Sequence, residues 1–414
     1  AWGVQYTIYS VNEAWGADPT TFFLESFLEK VPGDTFSWAP AWAVMIPLAL
    51  VWVLVLFVIG RGLSKGVEAA NKVFLPLLVI LFLALVVRAL FLPGAVEGLN
   101  AFFTPNWSAL ADPKVWLAAF AQIFYSLSVG FGIMLTYASY LKPKSNLTGT
   151  ALVAGFANSS FEILAGIGVF SAIGFMAHQG GVSVSEVEGL TGPILSFVTF
   201  PKIISMMPGG PLFGVLFFSS LVLAGVTSLL SLLQVVSGGL QDKFGWSPAR
   251  SALVLGVPAT VISLVLFGTR SGLNNLDIVD NFINSVGVVS SAIMFAVLCA
   301  VAGPRLGALR AHINSVSSVK VPKLWEPLVG IVIPVVLFVM MAMSIVDLLT
   351  KGYEGYPSSY VLIFGWGSVA VAVIASLIFT LIPWKHRPLD THAAVAQILA
   401  DDADDTASIE GGAK

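Results

Sequence analysis

Charge and cysteine are both scarce in this sequence. Only 10 % of the 414 residues are Asp, Glu, Lys or Arg, whereas soluble domains carry roughly 25 %. With 57 % apolar residues and a mean hydropathy of +0.90, lipid rather than water is the main solvent. A soluble globular domain is thereby excluded. The single Cys299 has no partner for a disulfide, and His178, His312, His386 and His392 lack metal-ligand spacing, so nothing points to a redox or metal enzyme. No His, Cys or carboxylate constellation suited to catalysis stands out, and we read the chain as a non-enzyme. A net charge of −3, with much of the acid in "DDADD" at 401–405, offers no basic surface for nucleic acid. The opening "AWGVQYTIYSV" has no initiator Met, no basic n-region and no small-residue cleavage site. It reads as the inside of a helix, and the chain is expected to be N-terminally truncated.

What is abundant is apolar sequence in span-length runs. Spans are expected near 1–17, 41–60, 73–92, 115–140, 148–177, 212–238, 251–268, 282–303, 325–347 and 360–384, ten in all. If the loop after Gly60 is cytoplasmic, Arg61, Lys65, Lys72, Lys142, Lys144, Lys243, Arg250, Arg305, Arg310, Lys320, Lys323, Lys385 and Arg387 all lie inside. Lys30, Lys114, Lys202, Arg270 and Lys351 lie outside, a split of 13 against 5 that fits the positive-inside rule. The expectation is therefore a multi-pass protein of the cell (inner) membrane with a cytoplasmic C-terminus. The long outer connection Gln179 to Pro211 is rich in Gly and Pro and suits a lid or a passive link equally. Residues 386–414 are polar and acidic, with at most a short helix near "AAVAQILA", and are expected to be a disordered cytoplasmic tail.

Polar groups at membrane depth are costly, so their arrangement is informative. In the first span Gln5, Tyr9, Asn12 and Glu13 follow i, i+4, i+7, i+8 spacing and would share a helix face. In the fourth, "SLSVGFG" places Ser126 and Ser128 before Gly130 and Gly132. In the fifth, Asn158 and Glu162 stand four apart; in the sixth, Thr227 or Ser228 lines up with Ser231 and Gln234. Any single Ser or Gly here is more simply explained by close helix packing and hydroxyls bonding back to their own carbonyls. The set is harder to explain that way. Hydroxyls, amides, carboxylates and free carbonyls are the ligands hard cations require. A helix interrupted near the midplane would add free carbonyls for a cation and free N–H groups for an anion, and two Gly within three residues favour such a break.

The stretches "QIFYSLSVGFGIMLTYASY", "NSSFE", "AGVTS", "GRGLSKGVE" and "LDIVDNF", in that family's order along the chain, resemble the neurotransmitter:sodium symporter family, in its prokaryotic amino-acid transporter branch. The resemblance implies an all-α polytopic membrane protein with the inverted-repeat sodium-symporter fold, lacking its first two transmembrane helices, with residues 1–385 matching spans 3 to 12. It implies that Tyr9, Tyr125, Ser128, Phe131 and Leu232 face the substrate, Tyr9 through its hydroxyl and Phe131 against the substrate side chain. One sodium ion is expected at Ser126 and Asn158, and a second at the Ala224 carbonyl with the Thr227 and Ser228 hydroxyls. Both sites would be completed by the span-1 segment, whose Gly-x-x-Trp-Arg-Phe-Pro-Tyr signature these residues lack. Glu162 stands where chloride-dependent relatives have serine, and its fixed charge implies chloride independence. Asp280 resembles the acidic half of an outer gate, Asp242 and Tyr140 an inner gate. Gly66 and Pro76 repeat a pattern at which the family's span 5 unwinds, although Pro76 also suits a static kink.

The implied activity is sodium-driven import of an amino acid or related small amine by alternating access across the bilayer. A proton-coupled carrier in which Glu162 or Glu13 titrates, a non-transporting amino-acid sensor and an inert fragment are the competing readings. The polar Gln5 and Asn12 depart from the family's usual apolar residues and favour a substrate more polar than leucine or a reshaped pocket. The residues specify neither the substrate nor an oligomeric state.

Overall fold

Long apolar runs force the backbone to satisfy its own polar groups, and in lipid a helix is the way a single segment does so. The computed structural model describes residues 1–33, 35–62, 66–142, 144–187, 192–301 and 305–385. Among these, eight helices are long and apolar enough to cross a bilayer: Trp42–Gly60, Glu68–Leu90, Leu147–Gly180, Gly210–Phe244, Pro248–Phe267, Gly272–Val301, Trp325–Thr350 and Ser358–Leu381. Two shorter apolar helices, Val115–Ser126 and Gly192–Met206, accompany them. The protein is an all-α, multi-pass membrane protein. The expected tail at 386–414 lies outside the described residues.

Several expected boundaries move, each for a local reason. The first span, expected over 1–17, is the short helix α1, Trp2–Tyr9, followed by turns. The Ser10 hydroxyl donates to the Tyr6 carbonyl at 2.6 Å, Glu13 takes a left-handed φ of +49° and Gly16 one of +62°, and Pro19 follows. Asn12 and Glu13 therefore lie beyond the helix and do not share a face with Gln5 and Tyr9. The fourth span is two helices, Pro113–Ser126 and Ile133–Ser139, with a break between them. The long connection after Gln179 is partly folded: Gly192–Met206 is helical within it. The eighth span starts ten residues earlier than the expected 282, at Gly272, because the polar "GLNNLDIVDNF" is itself helical.

Contacts divide the chain into two units. The first comprises Ala1–Trp116, Ser159–Gly238 and Trp246–Asp277. Its centre is aromatic: Tyr6, fully buried, stacks on Trp15 at 5.9 Å and meets the edges of Phe23, Phe27 and Phe197. The Trp15 indole N–H donates to the Ser205 hydroxyl at 2.8 Å, which anchors the turn region after α1. The second unit comprises Leu117–Asn158, Gly239–Gly245 and the chain from Ile278 onward. Its core joins Phe124, Val288, Val289, Ala292 and Leu337. There Lys243 is buried, donates from Nζ to the Phe379 carbonyl and lies over the Trp384 ring, so the end of Ser358–Leu381 is tied to the end of Gly210–Phe244.

Candidate ion and substrate site

The break between Ser126 and Ile133 is built from backbone conformations that no helix contains. Ser128 has φ +51°, Gly130 +85° and Gly132 +78°. Glycine adopts such angles at little cost, and serine does so less readily. The approach is also close. A β-carbon on Gly130 would stand 3.0 Å from both the Ala292 β-carbon and the Val288 carbonyl oxygen. The helix closes in one cap of two nested bonds, with Ser128 N–H donating to Tyr125 O at 2.9 Å inside the bond from Val129 N–H to Phe124 O at 3.0 Å. The carbonyl of Gly130 accepts a hydrogen bond from the Ser291 hydroxyl at 2.9 Å. Within this unit the break gathers polar atoms: the Asn158 amide donates to the Ser126 hydroxyl at 2.5 Å, joining the helix end at 126 to the helix Leu147–Gly180. Ser128 is partly buried, Tyr125 is 37 % exposed, and Phe131 packs on the Phe124–Val288–Leu337 core.

The part of the helix Gly210–Phe244 that lies in the first unit runs unbroken through "AGVTSLLS". Thr227 Oγ1 donates to the Ala224 carbonyl at 2.9 Å, and Ser231 to the Thr227 carbonyl at 3.1 Å. Thr227 is buried, Ser228 is exposed and Leu232 is 38 % exposed. Tyr9, at the end of α1, is partly buried, its ring edge-on to Tyr6, Phe22 and Phe27. Gln5 is spoken for by the fold, donating to the Ala43 carbonyl at 3.2 Å. Glu162, one turn beyond Asn158, is partly buried. The two oxygen groups, Ser126 with Asn158 and Ala224 with Thr227, each offer ligands of the kind that suits a hard cation.

Residues 7–387 match the sodium:neurotransmitter symporter family. The chain belongs to that family. An uncharacterized sodium-dependent transporter of Methanocaldococcus jannaschii is 36 % identical over 91 % of this chain and 76 % of its own length. The sodium- and chloride-dependent glycine transporter 2 of Xenopus laevis is 28 % identical over 88 % of this chain, which spans only 46 % of that transporter. Among solved structures, MhsT in complex with L-phenylalanine superposes with a TM-score of 0.64 at 30 % identity, over 83 % of this chain and 76 % of MhsT. The family is one of sodium-coupled symporters, not of enzymes, and this chain is a multi-pass member of it.

The residues expected at the symporter gates are all exposed. Asp280 is exposed and accepts a hydrogen bond from the Asn284 amide at 2.9 Å. Asp242 is exposed and Tyr140 is 49 % exposed. The helix Glu68–Leu90 continues through Pro76, and Gly66 N–H donates to Gly62 O at 2.9 Å. Ser291, Asn284 and Lys243 escape sequence reasoning. The first sits in "VVSSA", which reads as ordinary small-residue helix packing; the contacts of Ser291 and Lys243 depend on partners far away in sequence, while that of Asn284 is to Asp280 one turn back.

Proposed function

We propose that this symporter couples sodium entry to import of an amino acid or related small amine, without a requirement for chloride. The observation that carries the reading is the helix break over 127–132 with Asn158 bonded to Ser126 at its edge, since a broken helix beside paired oxygens suits a cation and a carboxylate together. One sodium ion is assigned to Ser126 and Asn158, a second to the Ala224 carbonyl with Thr227 and Ser228. Substrate recognition is assigned to Tyr125, Ser128 and Phe131 at the break and to Tyr9 and Leu232. Residues 1–385 form the transporter domain, in the cell (inner) membrane with a cytoplasmic C-terminus. Asp280 belongs to the outer gate, Asp242 and Tyr140 to the inner one. MhsT with its bound L-phenylalanine makes aromatic amino acids the first substrates to try, alongside the more polar ones that Gln5 and Asn12 favour.

Because Ser126 borders the sodium group and Ser128 the substrate group, binding of either ligand orders the segment that the other needs, and the coupling is reciprocal. Glu162 supplies a fixed negative charge in place of a chloride ion. Proteoliposomes containing the full-length protein test this directly. A labelled amino acid is expected to accumulate with an inward sodium gradient and equally well in gluconate or chloride, whereas Glu162→Ser is expected to make uptake depend on chloride. Uptake driven by a proton gradient in the absence of sodium would refute the coupling.

A further inference from the structure

The broken segment has an anchor at its edge, Asn158 on Ser126, and another at its middle. Ser291 lies in Val289–Val301, just beyond the π-helical stretch Ile283–Val288. Its Oγ is 2.9 Å from the Gly130 carbonyl oxygen and 2.8 Å from the Val288 carbonyl of its own helix. A hydroxyl has one proton and donates fully to one acceptor at a time. Donation to Val288, three residues back, is a bond any helical serine makes. Donation to Gly130 fixes a carbonyl that the break has removed from the helical ladder.

That carbonyl belongs to the same planar peptide as the N–H of Phe131. Holding the oxygen therefore sets the plane from which the Phe131 side chain departs. The Phe131 N–H in turn faces the Ser128 carbonyl at 3.5 Å, a long contact that links Ser128 to the same peptide. We propose that Ser291 is a positioning residue for substrate recognition: its hydroxyl fixes the Gly130–Phe131 peptide, and by turning to Val288 it releases that peptide when the segment rearranges. The alternative acceptor lowers the cost of release on the donor's side, because the Ser291 hydroxyl has a carbonyl to bond at either position. This inference rests on the reading of 127–132 as the segment that bears the substrate.

The test compares Ser291→Ala with Ser291→Thr in the full-length protein. Ser291→Ala is expected to raise the half-saturating substrate concentration about fivefold to tenfold, as loss of one net hydrogen bond implies, with the maximal rate per folded molecule within about twofold of wild type. Ser291→Thr retains the hydroxyl and is expected to stay near wild type. Hydrogen exchange of peptides covering 127–132 gives a readout independent of transport, expected to quicken in the alanine variant and not in the threonine variant. Unchanged half-saturation and exchange in Ser291→Ala would overturn the inference, as would a threonine variant as impaired as the alanine one. Phe131→Ala separates the two levels. If it alters substrate preference while Ser291→Ala is silent, the positioning role fails and the site reading survives; if Phe131→Ala leaves preference untouched, both fail.

Discussion

Two stretches of this chain have similar composition and opposite fates. "SLSVGFG" at 126–132 and "AGVTSLLS" at 224–231 both mix small and hydroxyl residues in apolar surroundings, yet the first breaks its helix and the second lies inside a helix running from Gly210 to Phe244. In the second, Thr227 and Ser231 bond back to carbonyls of their own helix, which keeps the ladder intact. Glycine content does not decide the matter, since the adjacent Gly238 and Gly239 are both helical. What distinguishes the first stretch is neighbouring helices that hold it, one of them bonding a carbonyl the ladder has lost. Ser291 meets the Gly130 carbonyl, Asn158 meets the Ser126 hydroxyl, and the surface at Val288 and Ala292 comes so close that a side chain at 130 is excluded.

The comparison breaks most severely at Gly130. A valine there must hold a left-handed backbone that β-branched residues avoid and place its β-carbon 3.0 Å from the Val288 oxygen. Gly130→Val is expected to lower sodium-dependent uptake by at least about twentyfold, on the order of 2 kcal/mol of strain in the transport-competent state. Uptake normalised to protein in the membrane is the measurement. Wild-type uptake in this variant would show that the break is dispensable.

The contrast also marks what could be read from the residues. Most of the apolar spans, and the break at the two glycines of "GFG", were legible because hydropathy and backbone preference are local properties. The ending of α1 at Tyr9 was less so: Gln5, Tyr9, Asn12 and Glu13 fit a helical face by spacing, yet the chain turns from Ser10 onward and Glu13 is left-handed. The helical start at Gly272 was hidden for the opposite reason. Asn274 and Asn275 read as a loop, but both are buried, and Asn275 donates to the Leu266 carbonyl at 2.7 Å. Ser291 was invisible because its meaning lies in Gly130, far away in the sequence.

A second, smaller effect sharpens the comparison inside the unbroken helix. Thr227 and Ser231 make the same kind of local bond, so local geometry alone would give their alanine variants equal and minor consequences. The proposed sodium group includes only Thr227. Thr227→Ala is expected to raise the sodium concentration for half-maximal uptake roughly tenfold, the scale of losing one interaction with a charged group. Ser231→Ala is expected to leave it within about twofold. Sodium titrations of uptake by the two variants decide the point, and equal shifts would remove Thr227 from the sodium site.

The smallest expected effect carries the opposite sign. Gly239 is exposed and helical, and a β-carbon built there meets nothing within 4 Å. A glycine in that setting weakens a helix by roughly 0.5–1 kcal/mol relative to alanine, through the extra backbone freedom it loses on folding. Gly239→Ala is therefore expected to raise the thermal midpoint in detergent by about 1–2 °C, with transport unchanged. The same substitution at Gly130 would lower stability, because there the backbone is left-handed and the space is filled. Should Gly239→Ala slow uptake while raising the midpoint, this end of Gly210–Phe244 must bend during the cycle. The two glycine sites would then differ in when they depart from helix rather than in whether they do.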